Sequence, residues 1–308
     1  EVKVTHFKEK LEKLQHEVTD KIVADLKRYQ VEGKSPAWIK PWRSTGSSGL
    51  PQNLDGRLYS GINVLILQQA QESKDYTSNR WGTYKAIKDR GGRVLKGETA
   101  TSVFFYKSHF VKRKNPKSDE TVTEGQSSHR NRIYLLRNYN LFNLAQTTVE
   151  FDGEKDESSE ETKYLELSDL IDSSQAVIEH GYGKACYQIV SDRISMPGKS
   201  RFKTEEDYWA TLLHEMVHWT GHGNRLDRFE HFSYATEELI AELGASFLCA
   251  EYNIEGDLQH SEYIHSWIKE MEDDYKLIFK AAARASQAHR LIKENHSTLS
   301  SSGDEVAA

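Results

Sequence analysis

The chain has 308 residues, 37% of them hydrophobic and 10% aromatic. That length provides about two domains with sizeable cores, and the aromatic content argues against a wholly disordered protein. The longest apolar run, Val64 to Leu67, is far shorter than the roughly 18 residues that span a bilayer, and the first residues lack an apolar signal core. The two cysteines, Cys186 and Cys249, provide neither a disulfide framework nor a thiolate zinc site. We therefore expect a cytoplasmic protein with no membrane partner.

The formal net charge of -6 conceals two halves of opposite sign. Residues 1–146 contain 26 Lys and Arg against 15 Asp and Glu, whereas residues 147–308 contain 15 against 32. A basic surface attracts polyanions and an acidic surface repels them. A nucleic-acid partner is therefore expected on the first half.

Helices are predicted at the start of the chain. Residues 5–30 place apolar side chains three or four positions apart, with Thr5 as a possible N-cap. A short helix capped by Ser60 follows. A third helix is predicted to begin near Thr77 and to carry Trp81 before two glycines end it.

Two strands and an acidic segment are predicted next. Thr101–Lys107 and Ile133–Phe142 are rich in aromatic and apolar residues, which is typical of strands. The polar segment Lys112–Arg132 between them is interpreted as a mobile loop. Residues 147–163 carry seven acidic side chains and no periodic apolar face, so we interpret them as a linker between a domain at 1–146 and a domain at 164–308.

The second half is predicted to be mainly helical with a small amount of strand. A helix is expected at Ser168–Glu179, a strand at Ala185–Val190 and an extended edge at Asp192–Pro197. The fold class is therefore α+β, with two domains.

The motif His214-Glu215-Met216-Val217-His218 is the most specific feature of the sequence. On a helix, positions i and i+4 lie on one face, so His214 and His218 can share a metal ion while Glu215 lies beside it. A helix is expected because Thr204 and Asp207 form a capping box upstream. The alternative is that two surface histidines flank a glutamate by chance.

The third ligand comes from a resemblance. Glu238 follows His218 by 20 residues, and Glu242 follows one helical turn later. This resembles the gluzincin arrangement, in which a glutamate on a second helix binds zinc and an acidic residue one turn later orients a ligand histidine. The resemblance implies one zinc ion bound by His214, His218 and Glu238, with Glu242 behind a ligand histidine. His231 and Glu242 remain alternative third ligands, His231 as in Spartan-like proteases.

Three protein ligands leave a fourth position for water, as in catalytic zinc sites. Zinc lowers the pKa of that water to about 7, and Glu215 can take its proton and pass it to a leaving amine. We therefore expect peptide hydrolysis, with an unknown protein substrate. His222, His231 and Tyr234 are candidates for stabilising an oxyanion, and the edge strand ending in Arg193–Met196 is a candidate for holding an extended substrate.

Aromatic and cationic side chains interleave in the basic half, for example from Trp38 to Arg43. Single-stranded DNA is bound by rings that stack on bases and by Lys and Arg that contact phosphates, each stacked base contributing about 1–3 kcal/mol. The alternative is that rings such as Trp38 and Trp81 are ordinary core residues.

Motifs along most of the chain resemble one family. Gly56–Asn63, Trp81–Lys85, Gly92–Glu98 and Tyr139–Gln146 are similar to the N-terminal single-stranded DNA-binding domain of the ArdC antirestriction family. Asp192–Pro197, His214–His222, Arg225–Arg228 and Glu237–Phe247 are similar to its zincin-like metallopeptidase domain. The resemblance implies an N-terminal α+β DNA-binding domain and a C-terminal, mainly helical peptidase domain with a small sheet.

Composition and resemblance together give the candidate DNA-binding residues. They are Trp38, Lys40, Trp42, Arg43, Arg57, Tyr59, Asn63, Arg80, Trp81, Lys85, Arg93, Lys96, Arg137 and Tyr139.

The function implied by the family is that of a mobile-DNA protein that coats incoming single strands and shields transferred DNA from restriction. One alternative is a non-catalytic DNA-binding protein with a structural zinc ion, which the presence of Glu215 and of only three ligands disfavours. Another is an accessory protein of a conjugative primase. That alternative lacks a carboxylate cluster for nucleotide polymerisation outside the acidic segment.

Overall fold

A computed structural model describes residues 2–33, 49–111, 131–150, 160–255 and 261–303. Its helices are α1 (Val2–Glu32), α2 (Ile62–Ser73), α3 (Tyr84–Asp89), α4 (Glu160–Ser174), α5 (Glu205–Thr220), α6 (Tyr234–Glu251), α7 (Ile264–Asp273) and α8 (Leu277–Gly303). Its strands are β1 (Gln52–Asn53), β2 (Arg80–Thr83), β3 (Thr101–Val111), β4 (Asn131–Asn143), β5 (Val177–His180), β6 (Cys186–Gln188) and β7 (Arg193–Met196). None of the helices within these ranges is long and apolar enough to cross a membrane.

The first half contains a sheet with the strand order β1-β2-β4-β3. Strands β3 and β4 pair antiparallel from Thr101 opposite Leu141 to Val111 opposite Asn131. Both predicted strands are therefore confirmed, and both are longer than predicted. Residues 112–130 of the predicted loop lie outside the described residues, and the last two residues of that prediction belong to β4.

The helix predicted near Thr77 is wrong in its first part, because Trp81 lies in a strand. Strand β2 pairs with β1 on one side and with β4 on the other, and the Trp81 side chain is 0% exposed. A Cβ on Gly82 would lie 2.7 Å from Leu54 Cδ1, so any larger residue at this position would force the Leu54 side chain to shift. Helix α3 begins only after Thr83, whose hydroxyl accepts a hydrogen bond from the backbone N–H of Ala86.

Two predicted helices are confirmed with different starts. Helix α1 begins at Val2, ahead of the predicted cap at Thr5. Helix α2 is preceded by Gly61 and not by a Ser60 cap. Gly61 has φ 62°, where a side chain is disfavoured, and its N–H donates to Ser286 Oγ at 2.7 Å.

The second half contains a sheet with the order β5-β7-β6. The helix predicted at Ser168–Glu179 begins earlier and ends at Ser174, so that Val177–His180 can pair with β7 as a parallel strand. The prediction that Asp192–Pro197 forms an edge is therefore wrong. Strand β7 is the central strand, and β5 and β6 are the edges.

One continuous hydrophobic core joins the two halves. It includes Leu26 of α1, Leu65 of α2 and Phe104 of β3, together with much of α5, α6 and α8. The Phe104 ring lies 5.5 Å from the ring of Phe279 on α8. The predicted domain limits at 146 and 164 remain a prediction.

Both ends of the predicted acidic linker are folded. The Thr148 backbone N–H donates to Arg93 O at 2.9 Å, which ties this end to the first half. Helix α4 already begins at Glu160, and Lys163 Nζ donates to Glu206 Oε1 at 2.7 Å. Residues 151–159 lie outside the described residues.

Candidate functional site

Helix α5 carries the two histidines of the motif into the interior. The predicted capping box is confirmed, because Thr204 Oγ1 accepts from Asp207 N at 3.0 Å and Asp207 Oδ2 accepts from Thr204 N at 3.2 Å. His214, Glu215 and His218 are only 3%, 7% and 8% exposed. The alternative of two surface histidines is therefore wrong.

Helix α6 brings Glu238 against both histidines. The helix begins after Ser233, whose hydroxyl accepts from Thr236 N at 3.0 Å. Glu238 is buried, with its Oε2 3.5 Å from His214 Nε2 and its Oε1 3.6 Å from His218 Nε2. The two Nε2 atoms are 3.1 Å apart.

These three side chains fit a divalent metal ion. Ligand atoms at roughly 2.0 to 2.1 Å from a tetrahedral zinc ion lie about 3.3 Å from one another, close to the three distances observed. Among the residues that the structure describes, His214, His218 and Glu238 form the group of three whose ligand atoms converge in this way. His231, the alternative third ligand, is exposed on the segment before α6 and is not part of this group.

Each of the two histidines also faces a second carboxylate through its other ring nitrogen. His214 Nδ1 lies 3.8 Å from Glu242 Oε2, and Glu242 is the residue predicted to lie behind one of the ligand histidines. His218 Nδ1 lies 3.4 Å from Glu237 Oε1, a partner that the sequence analysis missed. Such partners fix the tautomer and the ring orientation of a histidine ligand.

Burial and mutual charge shift the pKa values of Glu238 and His218. Burial alone would raise the pKa of Glu238, but hydrogen bonds from His214 and His218 lower it well below its usual range. Burial would lower the pKa of His218, but Glu237 and Glu238 raise it to about 9. Glu238 is thus a buried anion between the two imidazoles, which is the charge state that a metal-binding carboxylate needs.

Glu215 is held by the main chain of β6. Its Oε2 accepts a hydrogen bond of 2.7 Å from the backbone N–H of Tyr187. Burial raises the pKa of Glu215 above its usual range. Tyr187 was not predicted, because a backbone donor leaves no side-chain pattern. Because β6 is an edge strand beside Glu215, it replaces β7 as the candidate for holding an extended substrate.

The three candidates for stabilising an oxyanion differ in position. His222 accepts a hydrogen bond at Nδ1 from its neighbour Asn224 N, and His231 is exposed. Tyr234 begins α6 one turn before Glu238, with its hydroxyl 3.4 Å from that of Tyr263. Hydrogen bonding to Tyr263, burial and Glu238 together raise the pKa of Tyr234. Of the three, Tyr234 is the residue whose pKa Glu238 raises.

The candidate DNA-binding residues divide into three groups. Trp38, Lys40, Trp42 and Arg43 lie outside the described residues. Trp81 and Asn63 are buried at 0% and 5% exposure, so their assignment to DNA contact is corrected to a role in the core. The others are exposed or half-buried, namely Arg57, Tyr59, Arg80, Lys85, Arg93, Lys96, Arg137 and Tyr139.

Three of the aromatic rings in the first half lie together on the sheet. Phe105 and Tyr139 are each 39% exposed, with ring centroids 5.3 Å apart, and the Tyr59 ring lies 6.3 Å from that of Phe105. Arg137 is the cross-strand partner of Phe105 and is exposed. We call Tyr59, Phe105, Arg137 and Tyr139 the aromatic platform. Phe105 was missed, although strand alternation places it on the face of Arg137 and Tyr139.

The fold resembles that of a solved antirestriction protein. The chain superposes on the metal-free crystal structure of the antirestriction protein ArdC from plasmid R388 with a TM-score of 0.75 and 34% identity, over 92% of this chain and 98% of that one. The chain belongs to the ArdC antirestriction family. The resemblance found in the sequence is thereby confirmed, as is the α+β fold with two domains.

Other comparisons agree with membership of the ArdC family. The family model for the N-terminal domain of anti-restriction factor ArdC matches residues 12–142, and that for a zincin-like metallopeptidase matches residues 165–284. The Mn(II)-bound structure of R388 ArdC matches with a TM-score of 0.72 and the same 34% identity, over 92% of this chain and 98% of that one. A divalent metal site is therefore a property of a close structural relative.

Relatives of known sequence include longer proteins. The chain is 33% identical over 296 residues to the DNA primase TraC of Escherichia coli. The aligned region covers 90% of this chain but only 20% of TraC. The chain thus spans about a fifth of the length of that relative. Protein y4eC of Sinorhizobium fredii is 30% identical, with 88% of both chains covered.

Proposed function

We propose that this ArdC-family protein binds single-stranded DNA through its N-terminal domain and hydrolyses peptide bonds with a zinc ion held by His214, His218 and Glu238. The observation that carries the proposal is the convergence of these three buried side chains beside Glu215. Structural zinc sites have four protein ligands, whereas this cluster offers three among the described residues, which favours a catalytic site.

The roles of the residues follow from their positions. A bound zinc ion would lower the pKa of a water molecule and polarise a scissile carbonyl. Glu215 receives the Tyr187 N–H on Oε2, which leaves Oε1 to take the proton of the attacking water and transfer it to the leaving amine. Glu237, 3.4 Å from His218 Nδ1, holds that imidazole in the orientation that a metal ion requires, and Glu242 lies behind His214 at 3.8 Å from its Nδ1.

The aromatic platform supports the proposal for DNA. It offers exposed rings of the size that unpaired bases stack on, and Arg137 lies beside them to contact a phosphate. The first half also carries the excess of positive charge. Coating of transferred strands would then shield them from restriction.

The experiment that tests the peptidase uses the full chain loaded with zinc and an unstructured protein, β-casein, as the probe. The parent is expected to cut β-casein. Glu215→Gln, which keeps the volume and removes the base, is expected to retain its zinc and to lose cutting by at least about 100-fold. Equal cutting by parent and variant, or zinc-loaded parent that never cuts with or without single-stranded DNA, contradicts the proposed peptidase.

A further inference from the structure

Two arginines lie three residues apart in the segment between α5 and α6. Arg225 and Arg228 have no part in the mechanism above. Arg228 is nevertheless buried, at 1% exposure, and Arg225 is half-buried. Their guanidinium groups contact different parts of the site.

Arg228 joins the end of α5 to the start of α6. Its Nε donates to Glu237 Oε2 at 3.1 Å and its Nη2 to Glu237 Oε1 at 2.7 Å, which is a two-point contact. The same guanidinium donates to Val217 O and to Thr220 Oγ1, both at 2.7 Å. Because Glu237 Oε1 lies 3.4 Å from His218 Nδ1, Arg228 fixes the carboxylate that holds His218.

Arg225 instead reaches β6 and the turn before β7. Its two terminal nitrogens donate to the two carboxylate oxygens of Asp192, and Nη2 also donates to the Tyr187 hydroxyl at 3.2 Å. The Tyr187 hydroxyl donates to Asp192 Oδ1 at 2.7 Å. Arg225 Nε also donates to Trp219 O, at the end of α5, at 2.6 Å. Arg225 thus holds the residue whose backbone N–H donates to Glu215.

We propose that the two arginines are positioning residues with separate targets. Arg228 fixes the position of the metal ligand His218 through the carboxylate of Glu237. Arg225 fixes the position of Glu215, the proton-transferring group, through Tyr187. The inference deepens the proposed function and rests on its metal site. A planar fork is needed for each two-point contact, and lysine keeps the charge but cannot make it.

The test compares Arg228→Lys with Arg225→Lys in the full chain. The first readout is the affinity for Zn(II), measured by competition with a chelator. The second is hydrogen exchange of the Tyr187 backbone amide in the metal-free protein. Arg201→Lys, an exposed arginine outside the site, is the matched control and is expected to change neither.

We expect Arg228→Lys to weaken Zn(II) binding about 10- to 100-fold, which is the usual loss when a partner of a ligand histidine is changed. Hydrogen exchange at the Tyr187 amide should stay within about twofold of the parent. Arg225→Lys is expected to speed that exchange about tenfold and to leave Zn(II) affinity within about twofold. If each variant changes both Zn(II) affinity and Tyr187 exchange, or changes neither, the two arginines do not have separate targets.

A second variant covers the risk that a buried lysine unfolds the protein. Glu237→Gln keeps the volume beside Arg228 and is expected to lower Zn(II) affinity in the same direction, with the melting temperature of the metal-free protein as the check on folding. Unchanged affinity in a folded Glu237→Gln protein refutes the role of Arg228. Neither readout requires cutting, so a parent that binds Zn(II) but cuts no β-casein refutes the peptidase and leaves the two positioning roles measurable.

Discussion

The side-chain amide of Asn63 forms two hydrogen bonds with the main chain of Phe104. Asn63 Nδ2 donates to Phe104 O at 2.7 Å, and Phe104 N donates to Asn63 Oδ1 at 2.8 Å. Strand β3 is an edge of its sheet, so α2 uses this amide in place of a neighbouring strand. The Phe104 ring then packs on Phe279, which places the Asn63 contact where the two halves meet.

Asn63→Ala is therefore expected to destabilise the protein. The change leaves a buried N–H and a buried C=O of Phe104 without partners, which costs about 2 to 4 kcal/mol of unfolding free energy. Urea unfolding measures it, with Asn140→Ala, an exposed asparagine on β4, as the control. A stable Asn63→Ala protein with weakened DNA binding would instead restore Asn63 as a DNA contact.

The two residue pairs of the metal cluster were predictable because the spacing within each pair is local, whereas the resemblance to gluzincins was needed to join them. His214 and His218 are one helical turn apart, and so are Glu238 and Glu242, so a helix brings each pair to one face. The capping box of α5 also depends on neighbouring residues only. Glu237 was missed because its partner Arg228 and its contact His218 come from other segments.

Errors in the predicted fold have a common physical cause. Trp81 reads as a helical residue from its apolar neighbours, but pairing of β2 with two strands decides its conformation. Strand β7 is central because Val177–His180 pairs beside it. Most of that segment was predicted as helix, so β7 was predicted to be an edge. In both cases tertiary contacts override local propensity.

Truncating the aromatic platform is expected to weaken DNA binding. Phe105→Ala and Tyr139→Ala each remove one stacking ring, at a cost of about 1–3 kcal/mol of binding free energy for a single-stranded oligonucleotide. Tyr84→Ala is the matched control, because Tyr84 is 61% exposed on α3 and lies outside the platform. Fluorescence anisotropy with oligo(dT) at fixed salt measures the effect. Equal losses in all three variants would contradict the platform.

Asp192→Asn is expected to lower stability in a pH-dependent way. A hydrogen bond from Arg225 lowers the pKa of Asp192 below its usual value, and the smaller opposing effect is burial. A lowered folded-state pKa contributes stability above the unfolded value of about 3.9 and loses it as the pH falls through that region. The melting temperature of Asp192→Asn should therefore be below that of the parent at pH 7, and the difference should shrink below about pH 4.

The control for that pH dependence is Asp169→Asn, an exposed aspartate on α4. Its melting temperature is expected to follow that of the parent at both pH values. A deficit of Asp192→Asn that is the same at pH 7 and at low pH would show that the Arg225 contact to Asp192 contributes no charge-dependent stability.

Loss of peptide cutting is expected to leave DNA binding intact. Glu215 lies against β6 and the metal cluster, whereas the aromatic platform lies on the sheet of the first half. Glu215→Gln should bind oligo(dT) with an affinity within about twofold of the parent, since its contacts involve no residue of the platform. If coating alone shields transferred DNA, this variant protects that DNA from restriction in a conjugation assay. A variant that binds normally but fails to protect would show that cutting is required.

The metal content of the Glu238→Gln protein tests the central claim most directly. Purified parent, reloaded with Zn(II) and dialysed, is expected to hold about one zinc per chain by inductively coupled plasma mass spectrometry, because three buried ligands converge. Glu238→Gln is expected to hold less than about a tenth of that, since one of three ligands is lost. His231→Ala should match the parent, because His231 is exposed and outside the cluster. Full zinc content in Glu238→Gln, or loss of zinc in His231→Ala, would contradict the account.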